Sequence, residues 1–156
     1  MKTLRICLIS LMVLWVSPLF ITLPSFAGER VTYKEIREIM EKRCLNCHGP
    51  ESPTIEEFDK DKEKYKAQMK GPRMDSYDAL VGFVKGDDAG AIMRRLDDGT
   101  NTPAKKPGNM YTYLGDDEKE RQANLSKFKA WVGYWTLKKK KDLTPEEISK
   151  FLVPKE

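Results

Sequence analysis

The sequence predicts an all-α protein, on three observations. Apolar residues recur at intervals of three and four in one segment after another, which is the period of an amphipathic helix. Ser, Thr and Asp stand where those segments begin, and Gly or Pro where they end. No stretch alternates apolar with polar residues well enough to supply a sheet. The length of 156 residues suits a single domain.

The first 27 residues read as a signal peptide. Lys2 and Arg5 give a basic start, Ile6 to Leu23 is uncharged and mostly apolar, and Ser25-Phe26-Ala27 places small residues before a cut after Ala27. The alternative is an uncleaved anchor, since the uncharged run reaches the ~20 residues that cross a bilayer. Both readings export the remainder, residues 28–156, and Cys7 is one more hydrophobe in the apolar run.

In the exported part the helices follow in order. Thr32-Tyr33-Lys34-Glu35 is a capping box, stapled by Val31 and Ile36, and Ile36, Ile39 and Met40 carry one face up to Cys44. Between Thr54 and Lys70, Ile55, Phe58, Tyr65 and Met69 make a narrow stripe on a charged, solvated helix that Gly71-Pro72 stops. Ser76 caps a helix with Tyr77, Leu80, Val81 and Val84, and Asp88 caps another with Ile92, Met93 and Leu96. Residues 97–115 form a polar loop with Pro103, Pro107 and Gly108. Asp116 or Asp117 then opens a helix with Leu125, Phe128, Val132 and Trp135 on one face. A basic run, Lys138 to Lys141, leads to a small helix announced by Thr144-Pro145-Glu146-Glu147, with Ile148, Phe151 and Leu152 behind it. The expected domain is 28–156, with a core over about 31–137 and an extension over 138–156.

Composition excludes several classes. The chain has 28 Lys+Arg against 24 Asp+Glu, a formal +4 that falls to +2 without the leader. That is too slight an excess for nucleic acid or an anionic membrane. A single His rules out a His-rich zinc site, several haems with two His on each iron, and paired-histidine catalysis.

The chemistry lies in Cys44-Leu45-Asn46-Cys47-His48. A Cys pair in an exported chain ordinarily suggests a disulfide, but this spacing with His next is the signature of covalent haem attachment. On a helix, positions i, i+3 and i+4 share a face, so Cys44 and Cys47 can bond the two vinyl groups of one haem while His48 binds the iron. A thioredoxin-like redox pair is the rival, and no βαβ pattern surrounds the motif. The cofactor predicted is one covalent haem c with its iron.

A helix ending in CxxCH, intermediate helices, a Pro/Gly loop carrying a Met and an aromatic-rich C-terminal helix resemble the class I monohaem cytochromes c of bacteria. The likeness runs from about Val31 to Leu137, and Gly71 to Leu80 and Ala91 to Leu96 are similar to stretches common in bacterial members. It implies the class I cytochrome c fold, with the charged segment 51–70 as an insertion after the haem motif and a short extra C-terminal helix. It implies a periplasmic one-electron carrier rather than an enzyme, monomeric, meeting other redox proteins through transient haem-edge contacts, with no nucleic acid and no membrane insertion after cleavage.

By the same resemblance the sixth iron ligand is a Met. Met40, Met69, Met74 and Met93 read as packing or helix-end residues, whereas Met110 sits in Lys105-Lys106-Pro107-Gly108-Asn109-Met110-Tyr111 just before the C-terminal helix, as the family's ligand does. His48 and Met110 are therefore the expected iron ligands. A thioether opposite His raises the potential above that of a haem with two His ligands. The family's carbonyl partner of the His is matched by Pro72, with Pro53 as the second choice. Ile36 and Met40 replace the Gly and aromatic of many members, which implies a looser crossing with Phe128 or Trp131. Lys105, Lys106 and Lys138 to Lys141 either surround the haem edge or form a solvated surface; Tyr111, Tyr113, Tyr134 and Trp135 are pocket walls. Two alternatives stay open: a haem enzyme or gas sensor with an open sixth site, and a fixed haem subunit of a membrane respiratory complex.

Overall fold

Helix α1, Tyr33–Arg43, begins where Thr32 turns extended and its N–H is taken by Glu35 Oε2 at 3.2 Å. The computed structural model describes residues 30–156, so the expected leader and Cys7 lie outside the described residues. The same device recurs at α3, Ile55–Lys60, capped by Thr54 and Glu57, and at α8, Pro145–Ile148, capped by Thr144 and Glu147. Each such cap contributes roughly 1 kcal/mol to its helix. The described residues hold helices and no strand: α2 is Leu45–His48, α4 Lys62–Ala67, α5 Tyr77–Lys85, α6 Ala91–Leu96 and α7 Glu118–Val132. Tyr111–Leu114 and Lys140–Asp142 are 3₁₀ turns.

The core is the crossing of α1 with α7, closed by α5, α6 and the turn at Tyr111–Leu114. Ile36, Leu80, Val84, Met93, Phe128 and Trp131 are all fully buried there. At this crossing the large Ile36 and Met40 are both buried, and Tyr33 packs on Trp131, with ring centroids 6.3 Å apart. Outside this core, Arg43 holds Asp116 at 2.7 Å and Glu120 at 2.5 Å, and Lys42 reaches Glu120 at 2.9 Å. These ions pin the end of α1 to the start of α7.

Three elements differ from expectation. The segment 54–70 is two helices, because the Asp61 side chain accepts the Lys64 N–H at 3.2 Å and starts α4 afresh. Asp88 does not cap α6; Gly90 does, at φ 81°, while the Asp88 carboxylate binds Arg94 at 3.2 Å. Helix α7 stops at Val132 because Gly133 turns left-handed, φ 78°, with Leu152 packed where a Cβ would project. Trp135 is thereby taken off the helix.

The last residues belong to the core rather than to an outer extension. After α8 the chain leaves the helix, with Val153 at a left-handed φ of 41°, and Phe151 and Val153 are buried while Leu152, expected on the inner face, is 56% exposed. Leu152 and Val153 N–H bond the Val132 and Trp131 carbonyls at 3.0 and 2.9 Å. The Pro154 carbonyl then accepts Tyr33 N–H at 3.0 Å and Trp131 Nε1 at 2.9 Å, and Tyr77 Oη donates to Val153 O at 2.8 Å. One short segment ties α1, α5 and α7 together.

Candidate functional site

The helix that leads into the Cys-x-x-Cys-His motif breaks at its first Cys. Cys44 N–H still closes on Met40 O at 2.8 Å, but its backbone leaves helical values, and α2 starts afresh at Leu45. Cys47 and His48 N–H both bond Cys44 O, at 3.1 and 3.0 Å, so Cys44, Cys47 and His48 share a single turn. The two cysteines are free of any disulfide. Burial pushes the Cys44 thiol up to about 11, aided by Cys47 and opposed by Arg43.

His48 is held from two sides. Its Nδ1 donates to the Pro72 carbonyl at 2.7 Å, the partner that the sequence names first. Such a bond fixes the tautomer and leaves Nε2 with its lone pair for a metal. Gly71 lies against the ring itself: a Cβ there would stand 2.1 Å from Cε1. Gly71 N–H bonds Cys47 O at 2.8 Å and Met74 N–H bonds His48 O at 2.9 Å, so the loop 71–74 is laced onto the motif. Burial pulls the imidazole pKa below its ordinary value, against the raising effect of the Pro72 bond and with help from Arg95. The ring is kept neutral, the form that ligates.

Met110 arrives from the loop after α6. Gly108 N–H bonds Asp97 O at 2.7 Å and Met110 N–H bonds Arg95 O at 3.0 Å, which lays the Met110 segment back along the end of α6. The approach needs glycine, for a Cβ on Gly108 would meet the Arg95 and Arg94 carbonyl oxygens at 2.3 and 2.4 Å. Beyond it, Tyr111 Oη donates to Glu118 and accepts Gln122 Nε2 at 2.7 Å, anchoring the 3₁₀ turn on α7.

Cys44, Cys47, His48 and Met110 all line one cavity of about 1460 Å³, with Ile92, Leu96, Leu114 and Phe128 among its apolar walls. Small-ligand pockets run to ~1,000 Å³, so the space suits a large, flat, mainly apolar group. Two thiols in one turn and a single neutral imidazole facing such a space are the donor set of a covalently bound haem. No group of three or more His, Cys, Asp or Glu among the described residues could hold a bare metal ion instead. Met40, Met69 and Met74 line the cavity as well, and Met93 does not. Met40 is buried in the core and Met74 is tied by its N–H to His48's own carbonyl. Met69 is 78% exposed at the end of α4.

One group of lining residues escapes the sequence reading. Ile55, Phe58, Asp59, Lys62 and Lys66 bring α3 and α4 against the cavity, so the charged insertion is a wall and not only a solvated helix. Its signal was the stripe Ile55, Phe58 and Met69, weak beside so much charge. Among the lysines, Lys139, Lys140 and Lys141 line the cavity, whereas Lys105 and Lys106 do not. Of the expected aromatic walls Tyr113 lines it; Tyr111 and Trp135 bond Glu118 and Asp97, and Tyr134 bonds Glu147.

The sequence matches the profile of the PccH cytochrome c family over residues 32–153. The structure is similar to that of the monohaem cytochrome PccH from Geobacter sulfurreducens, with a TM-score of 0.76 and 48% identity over 81% of this chain and 99% of that one. No curated protein matches.

Proposed function

We propose, from the premise that this chain belongs to the PccH cytochrome c family, that it is a periplasmic one-electron carrier whose haem iron would be held by His48 and Met110. The family gives it a single haem c and a haem-based role in electron transfer. That haem supplies the redox chemistry, an iron that alternates between ferric and ferrous. The polypeptide does the rest. Cys44 and Cys47 tether the porphyrin edge, and Pro72 and Gly71 fix the His48 ring as the ligand on one side. Met110, carried on a loop bonded to Arg95 and Asp97, supplies the thioether on the other. The observation that carries this reading is the convergence of those four side chains on one large cavity. With His48 and Met110 both as ligands, the chain itself would fill the coordination of the iron and leave no place there for a substrate.

Export rests on the signal-peptide pattern of residues 1–27, and among the described residues no helix is long and apolar enough to cross a membrane. The partner class follows from charge placement. Basic residues around the cavity outnumber acidic ones nine to four, although the chain after the leader is only +2 in all. Two haem propionates offset part of that surplus, and the remainder favours an acidic face on the redox partner. Such steering raises encounter rate more than affinity, as a shuttle requires.

The experiment is a reductive titration of the purified holoprotein with ferric and ferrous spectra. One electron per chain, a low-spin spectrum in both states and no consumption of added peroxide are expected. A high-spin ferric iron that turns over peroxide would replace the carrier with the open-site enzyme.

A further inference from the structure

We propose that Asp97 is the positioning residue of Met110, a buried carboxylate that locks the loop 97–110 and so holds the thioether in the cavity. The inference rests on Met110 being the iron ligand, and it assigns the means by which the fold keeps it there.

Asp97 is fully buried, and it is the one buried charged side chain among the described residues. A carboxylate taken out of water is costly unless its oxygens are bonded. Here the donors are all neutral: Gly99 N–H at 2.8 Å to Oδ1, and Asn101 Nδ2 at 2.8 Å and Trp135 Nε1 at 2.9 Å to Oδ2. Together they hold two separate pieces of chain. Gly99 and Asn101 belong to the first turn of the loop, and Trp135 to the strand of chain beyond α7. The Asp97 main chain adds two more bonds, its N–H to Met93 O at 3.0 Å at the end of α6 and its carbonyl to Gly108 N–H at 2.7 Å. Start and end of the loop are thus closed on Asp97, whose partner Gly108 lies two positions before Met110. The next rung, Met110 N–H to Arg95 O at 3.0 Å, sets the ligand's own backbone. Gly133 completes the arrangement, for its left-handed turn ends α7 and frees Trp135 to reach back.

If one donor is lost, the charge remains buried with fewer bonds, and the loop relieves it by opening toward water. Opening withdraws Met110 from the iron. A residue that merely supported the fold would lower stability without changing how often the thioether leaves.

The test is exogenous imidazole added to the ferric holoprotein, since imidazole binds only the fraction in which the thioether has left, and apparent affinity rises with that fraction. Trp135→Phe removes one N–H and keeps an aromatic ring; Asp97→Asn removes the charge. Both are expected to bind imidazole at least about tenfold more tightly than wild type, with a weakened Met–iron charge-transfer band. Tyr134→Phe, which loses a hydrogen bond to Glu147 away from the loop, should bind as wild type does. Should Asp97→Asn fail to fold, Trp135→Phe alone decides. Imidazole affinity within twofold of wild type in folded Trp135→Phe would overturn the proposal. A wild type without the charge-transfer band would instead overturn the Met110 assignment itself, before any variant is compared.

Discussion

The two walls of the cavity are built in opposite ways. On the His48 side the functional groups lie within five residues of one another, on a turn set by backbone bonds to Cys44 O, and two residues of a nearby loop, Gly71 and Pro72, complete it. On the Met110 side a single side chain is carried by a loop whose backbone bonds Arg95 and Asp97, and Asp97 in turn accepts from Trp135, thirty-eight residues along the chain. The first wall is a local motif and the second a tertiary assembly. Local bonds survive small losses of stability, whereas a loop held by distant donors opens first.

The largest effect is expected on the local wall, where Cys47→Ala removes a thioether and should reduce covalent haem sharply, read as haem retained on the denatured chain by mass spectrometry. Retention equal to wild type would break the assignment. Next comes a matched pair of glycine substitutions. Gly71→Ala drives a methyl into the His48 ring and Gly108→Ala into the Arg95 carbonyl, each overpacking that costs about 1–3 kcal/mol in denaturant unfolding of the holoprotein. The pair should split in the spectrum: Gly108→Ala weakens the Met–iron band, and Gly71→Ala keeps it while disturbing the His48 side. Equal spectra would erase the contrast between the walls.

The smallest effect lies outside both. Arg43 holds the Glu120 carboxyl at about 2, well below its ordinary 4.5, with Asp116 N–H and Lys42 assisting. A pKa lowered by folding contributes stability that is full above the unfolded value and is lost as pH falls from about 4.5 through about 2. Wild type should therefore exceed Glu120→Gln in thermal stability at neutral pH, and the gap should close over that window. A gap that persists at pH 2 would deny the Arg43 pair its role.

Legibility in the sequence followed the same division. The Cys-x-x-Cys-His turn, the capping residues Thr32, Ser76 and Thr144, and the buried stripe of Leu125, Phe128 and Val132 are short-range patterns, and the structure has each of them. Trp135 looked like one more residue of that stripe, because nothing in local spacing shows that Gly133 turns left-handed to receive Leu152. Asp97 looked like any polar loop residue, since its burial depends on donors far along the chain. The break at Asp61 was hidden because a cap inside a charged run resembles the run. Phe151 and Leu152 were read at helical spacing, but the core takes Phe151 and Val153 from a non-helical segment whose partners, Trp131 and Tyr33, lie elsewhere.

The most direct test of the proposal that His48 and Met110 would both hold the iron is the ferric spectrum of wild type beside Met110→Ala. A low-spin wild type with a Met–iron charge-transfer band, lost in Met110→Ala together with a fall in midpoint potential, is the expected result. Survival of that band in Met110→Ala would show that another methionine of the cavity holds the iron and would contradict the account.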